Sequence, residues 1–285
     1  KRQITWFKKL YNAKIIKANE SDNSVTLRDK ILALLPKTLT IFAFFLLLSF
    51  VNPGNTIGSE TKEYSSALSL FQKGDYHQAA LLFTSIRTST QNLIEKNRSS
   101  YLLAHSLAHN NKLNESINIF LDTIKSYPEI EDYTRFHLAE VFLSSGKIKK
   151  SLEQVNIIQR KFPKTLLLTK NNILLAKILE KENKVEEALK LLKEIENRIS
   201  TLPKSSEYRL HLPEIIYYQG HLFQKSGQLN EAYNRYRFLH IGFPTNHLTY
   251  KAKKEMKRIA KEDASIIIKP LTLDEYEKRI KALLK

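Results

Sequence analysis

The 285-residue chain is 42% apolar and carries 46 Lys/Arg against 29 Asp/Glu, a formal net charge of +17. It has no cysteine, which excludes a disulfide framework and any thiolate metal site. Seven glycines, an excess of Ala, Leu, Lys, Glu and Ile, and no sustained apolar/polar alternation exclude a strand-built fold and point to helices. The positive balance suits either an anionic partner or a solvated lysine-rich surface. No Arg-rich helix, zinc finger or ribonucleoprotein-type aromatic motif accompanies it, so nucleic acid is not an expected partner.

In chain order, residues 1–30 form a basic segment with eight Lys/Arg against three acids. Residues 31–51 follow, ending in the uncharged run from Thr38 to Val51, apolar on all sides through Phe42, Phe44, Phe45 and Phe50. Twenty-one residues are enough to cross a bilayer, so 31–51 is expected to be a transmembrane or signal-anchor helix. Basic residues precede it and none follow in the linker 52–59. The positive-inside rule therefore keeps the N-terminus cytoplasmic and places the rest outside the inner membrane, in the periplasm of a Gram-negative cell. A basic stretch of this length is long for a cleaved signal peptide and favours a retained anchor.

From Glu60 to Asp263 one register recurs five times, and it decides the architecture. Loop residues Gly74, Asn111, Gly146, Asn183 and Gly227 each have a small residue seven positions before and five after. These are Ala67/Ala79, Ala104/Ser116, Ala139/Ser151, Ala176/Ala188 and Gly220/Ala232. A larger residue stands nine after each loop: Phe83, Phe120, Val155, Leu192 and Tyr236. Small residues let the two helices of a hairpin approach closely, and the large ones fill the space to the next hairpin. Pro128, Pro163 and Pro244 fall seventeen residues past their loops, and Pro203 falls twenty past its own. Each should stop a second helix. This pattern resembles the tetratricopeptide repeat, and the resemblance implies an all-α, right-handed solenoid of five to six helical hairpins over residues 60–263. The sequence departs from the family in lacking its first-helix Trp, in Ser116 and Ser151, and in a longer step around Leu202–His211.

Residues 264–285 read as a linker and the start of a further helix, with Leu273, Tyr276, Ile280 and Leu283 on one face. The Lys-Pro-Leu-Thr and Tyr-Glu-Lys-Arg-Ile-Lys-Ala-Leu elements of this tail, after an exported repeat array, look like the N-terminal superstructure of periplasmic lytic murein transglycosylases. That resemblance implies a peptidoglycan-cleaving domain beyond Lys285 and glycan strands as a partner. Within the chain itself Glu115-Ser116 is the nearest approach to that family's catalytic Glu-Ser, and no Gly-Leu-Met-Gln follows it, so no catalytic residue is assigned. His105-x3-His109 has metal-ligand spacing but no third ligand in sequence, and the acids around Glu186 and Glu194 read as a helix charge lattice. No metal or cofactor is expected.

In tetratricopeptide solenoids the concave groove is lined by first-helix side chains. Carried over by position, that resemblance implies a lining of Tyr64, Arg98, Tyr101 and His105, then Tyr133 and Phe136, then Lys177, Tyr217 and His221. Aromatics flanked by His and Lys suit a protein or peptide partner, or a glycan strand. The sequence thus supports two functions: a membrane-anchored, non-catalytic interaction scaffold, or the solenoid of a transglycosylase.

Overall fold

The computed structural model describes residues 61–203 and 206–284. The basic segment 1–30, the apolar run 31–51 and the linker 52–59 lie outside the described residues. Among the described residues the chain is all-α, without strands, and no helix is long and apolar enough to cross a membrane. It divides into two compact units, the first ending at Ser145 and taking in Phe162–Leu166, the second made of Gly146–Lys161 and the chain from Leu167 onward.

The first unit contains α1 (Lys62–Gln72), α2 (Tyr76–Ser89), α3 (Leu93–His109), α4 (Leu113–Ser126) and α5 (Glu131–Ser144). Successive helices pack on one another, and α1 and α3 also touch across α2. The starts of these helices follow from local chemistry. Thr61, Asp75 and Asn92 stand before α1, α2 and α3, and their side chains accept the orphan N–H groups of Tyr64, Gln78 and Ile94 at 3.1–3.2 Å. The core holds Phe83, Phe120, Leu102, Ile130 and Leu138, all at 1% exposure or less. Glu95, buried on α3, ties the termini of neighbouring helices together. It accepts from the backbone and hydroxyl of Thr61 and from the Thr90 hydroxyl.

The second unit contains α6 (Ile148–Lys161), α7 (Leu168–Lys181), α8 (Val185–Ser200), α9 (Leu212–Lys225), α10 (Leu229–Gly242), α11 (His247–Glu262) and α12 (Leu273–Leu283). Its core is built from Ile173, Leu192, Ile215, Leu222, Tyr236 and Ile259. The long step between its hairpins is a 3-10 segment, Glu207–His211, organised by Arg209. The Arg209 guanidinium donates to the carbonyls of Ser200 (3.0 Å) and Leu202 (2.8 Å), so an inserted side chain takes up acceptors that the end of α8 leaves unpaired. α12 packs on α10 but buries none of its own side chains. Its apolar face is exposed: Leu273 is 76% exposed and Ile280 52%.

All five loop residues of the repeat have positive φ, and among the described residues they are the only five: Gly74 (82°), Asn111 (60°), Gly146 (73°), Asn183 (60°) and Gly227 (77°). At four of them the same pair of backbone bonds closes the preceding helix. At the first, Asp75 N–H reaches Leu70 O (3.0 Å) and Gly74 N–H reaches Phe71 O (3.1 Å). Within each unit this left-handed cap turns the chain back on itself, so the flanking small residues meet. Ala67, Ala79, Ala104, Ala139, Ala176, Ala188 and Ala232 are all fully buried. Ser116 is satisfied within its contact, its hydroxyl donating to Ala104 O at 2.7 Å, which is why serine is tolerated where alanine is usual.

The loops and the small-residue contacts can each be tested. A left-handed residue with a branched side chain costs about 1–2 kcal/mol. Asn111→Val should therefore destabilise by that amount in urea denaturation, while Asn111→Gly should be neutral or stabilising. At Gly220 an added Cβ would lie 2.7 Å from Tyr236 Cε1, in a ring that is itself buried. Overpacking of this kind costs roughly 1–3 kcal/mol and exceeds the gain of about 1 kcal/mol from replacing helical glycine by alanine. Gly220→Ala should lower the melting temperature, and adding Tyr236→Leu, which recreates the Ala176/Leu192 pairing, should restore much of it.

Candidate functional site

In the first unit the surface of α1, α3 and α5 is mostly closed. Tyr64 is 1% exposed, with its ring edge-on to Phe83 at 6.1 Å. Arg98 is buried and hydrogen-bonds Tyr127, whose hydroxyl burial pushes up to about 12 despite that cation. Tyr101 and Phe136 are 5% exposed. The expectation that these four side chains line an open groove is corrected: they are packed between helices, because large first-helix residues here fill the same interior as the repeat's large positions. Tyr133, His105 and His137 remain half-buried and His109 exposed.

The structure brings together rings that the sequence separates. The His105 ring lies 4.7 Å from Tyr101, 5.2 Å from Phe120 and 4.1 Å from His137, centroid to centroid. His109 stacks on Tyr76 at 4.0 Å, and His137 Nδ1 pairs with Glu140 Oε2 at 2.8 Å. His105 Nε2 has no hydrogen-bond partner among the described residues. Burial, then the neighbouring His137 and His109, hold His105 well below the usual histidine pKa, so the ring is neutral at pH 7. No three His, Asp or Glu side chains among the described residues are grouped to hold a metal ion.

In the second unit the first-helix surface stays open and is organised around Glu180, which sequence reasoning passed over. Glu180 at the end of α7 accepts from the hydroxyl of Tyr218, from His221 Nε2 at 3.1 Å and from Lys225 Nζ at 3.0 Å, all three on α9. Burial alone would raise its pKa, but these three donors outweigh it and hold the carboxyl at about 2. Burial and the bond to that carboxylate push Tyr218 up. One turn back, Lys177 Nζ pairs with Glu214 at 3.3 Å and lies 5.8 Å from the Tyr218 ring centroid. Tyr217 is half-buried, its ring 5.5 Å from Tyr236. Thus Lys177 and His221 come together through residues not anticipated, and Tyr217 lies beside them on α9. A signal for Glu180 was present: three residues before the loop, where Phe71, Ala108 and Leu143 are apolar, this repeat carries a charge.

A carboxylate held at about 2 is ionised throughout the physiological range and cannot act as an acid or base near neutrality. Its geometry instead fixes the angle of α9 against α7 and holds cationic groups at the surface.

No known protein family and no curated protein matches the sequence. Among solved structures it is similar to a Podosopora anserina protein with nearly identical TPR-like repeats, at 16% identity over 70% of this chain and 95% of that one, TM-score 0.48. It is also similar to a thermophilic TPR protein of Thermus thermophilus (17% identity, 78% and 98% covered, TM-score 0.46). A third is YrrB, a TPR protein with an unusual peptide-binding site (13% identity, 67% and 90% covered, TM-score 0.43). All three scores lie below 0.5, and the repeat type rests on the chain's own register of left-handed loops, buried small residues and following prolines. In that register the hairpins resemble tetratricopeptide repeats.

The histidine cluster makes stability depend on pH. Because the folded-state pKa of His105 is depressed, its contribution is complete above the usual histidine value near 6.5 and is lost as pH falls below it. Urea midpoints should therefore drop between pH 7.5 and 5.5 in the parent protein. The drop should be smaller in His105→Leu, as read by circular dichroism.

Proposed function

We propose that the chain is a non-catalytic scaffold that holds a protein or peptide partner on its first-helix surface, tethered to a membrane through residues 31–51. The observation that carries this reading is the Glu180 node. A buried, ionised carboxylate fixes Lys225 and His221 on a surface that stays open, beside Lys177 and Tyr217. Fixed side chains on rigid helices recognise a partner at low entropic cost, which is what a scaffold requires. The uncharged run from Thr38 to Val51 supports the tether, and the basic segment before it supports an exported repeat domain.

The test is site-specific photo-crosslinking in cells. A crosslinker at Lys177 or Tyr217 should capture a discrete partner, and one at Lys190, on the exposed side of α8, should not. Capture from Lys177 should be lost with Tyr217→Ala and His221→Ala together, with helicity unchanged. Equal capture at all three positions would sink the reading. Tyr101→Ala is unsuited to this purpose, because emptying that buried position should cost on the order of 3–5 kcal/mol of stability. Alkaline carbonate should leave the parent protein in the membrane pellet and release a variant lacking residues 31–51.

A further inference from the structure

Charge is distributed unevenly between the two units. The first helices of the first unit, α1, α3 and α5, carry four Lys/Arg against five acids. Those of the second, α7, α9 and α11, carry ten against four. The four acids do not offset this surface evenly, because Glu180 is occupied by three donors, Glu214 by Lys177 and Glu255 by Arg258. α11 accounts for six of the ten basic residues, and all six side chains are exposed. Its apolar side is used up in packing: Leu248, Ala252, Met256 and Ile259 are buried. On the opposite side Tyr250, Lys254, Lys257 and Lys261 follow one another at helical spacing along a single line. These three lysines have no carboxylate partner among the described residues, and Lys254 Nζ lies 4.8 Å from the Tyr250 ring centroid.

We propose that this line on α11 is a docking surface for an acidic polypeptide segment, an inference that rests on the scaffold reading and names the chemistry of its partner. Charge complementarity carries it: a row of unpaired ammonium groups one helical turn apart matches a chain of carboxylates. The composition argues against a nucleic acid. α11 presents five lysines to one arginine, so it lacks the planar forks that grip phosphates in pairs, and the face of its single exposed tyrosine is already covered by Lys254 and not open to stack on a base.

The experiment uses the full chain in nanodiscs of neutral lipid and fluorescence anisotropy with three labelled probes: a poly-glutamate peptide, a single-stranded DNA of equal charge, and phosphatidylglycerol vesicles. Poly-glutamate should bind most tightly, with an affinity that falls as salt is added. The triple variant Lys254→Glu, Lys257→Glu and Lys261→Glu should bind it about ten-fold more weakly or worse. A control with the same net charge, Lys149→Glu, Lys190→Glu and Lys193→Glu, should bind nearly as the parent does. Should the α11 reversal disturb folding, Lys→Gln at the same three positions should still weaken binding while keeping the helical spectrum. Equal loss in the control would mean that only overall charge matters and would overturn the proposal, as would tighter binding of DNA or vesicles. If a partner is captured at Tyr217 and capture survives the α11 reversal, this inference fails alone. If no partner is captured while poly-glutamate still binds α11, the scaffold reading fails alone.

Discussion

Within each unit the hairpins bring two backbones together through residues with little or no side chain, and the approach is possible only because the residue between the helices takes a left-handed conformation. The two conditions are coupled. A left-handed loop residue reverses the chain within four residues, and buried alanine, serine or glycine on either side lets the reversed helix lie close. Close approach in turn brings the large residue nine positions past the loop against the first helix of its own hairpin, as with Phe83 beside Tyr64 and Phe71 and Tyr236 beside Tyr217. Gly220 shows how tightly the parts are matched: where the large residue is tyrosine, even a methyl group opposite it has no room.

This frame leaves few places for polar groups, and those present hold helices together. Glu95 joins three helix ends, Arg209 takes up the open carbonyls of α8, and Asn97 and Asn171 donate from first helices to carbonyls of the neighbouring second helices. Glu180 belongs to the same class of joint, with one difference. Its donors lie at the rim of the interior, so the bonds that lock α9 to α7 also hold cationic and aromatic groups at the surface. In the first unit the corresponding space is taken by Phe71, Tyr101, Phe120 and His105, and there the interior closes over itself. Structural locking and surface presentation are therefore separable, and the two units handle them differently.

The hairpins were legible in the sequence because their signals are steric and local. Loop positions, small residues and prolines recur at fixed offsets, and the structure places all five loop residues in the conformation that Gly and Asn favour. The surface was less legible. Family position places a residue on a helix face, but whether that face is open depends on how large its neighbours are. Tyr64 and Tyr217 hold similar positions, yet one is enclosed by Phe83 and the other left half-open beside Tyr236. Glu180 was passed over for a related reason. A charge on a lysine-rich helix reads as solvated, and only its donors, some forty residues away on α9, make it a joint.

The last helix differs in kind from the others. α12 contributes nothing to the apolar core, whose C-terminal edge is Ile266. It is held by Arg237, which pairs with Glu275 at 2.6 Å and reaches the carbonyls of Lys269 and Pro270, and by Arg279 against His240 O. Those contacts give the helix an orientation without adding a buried side chain to the core. Loss of either guanidinium should therefore loosen α12 without removing any apolar side chain from the core of the hairpins beneath it.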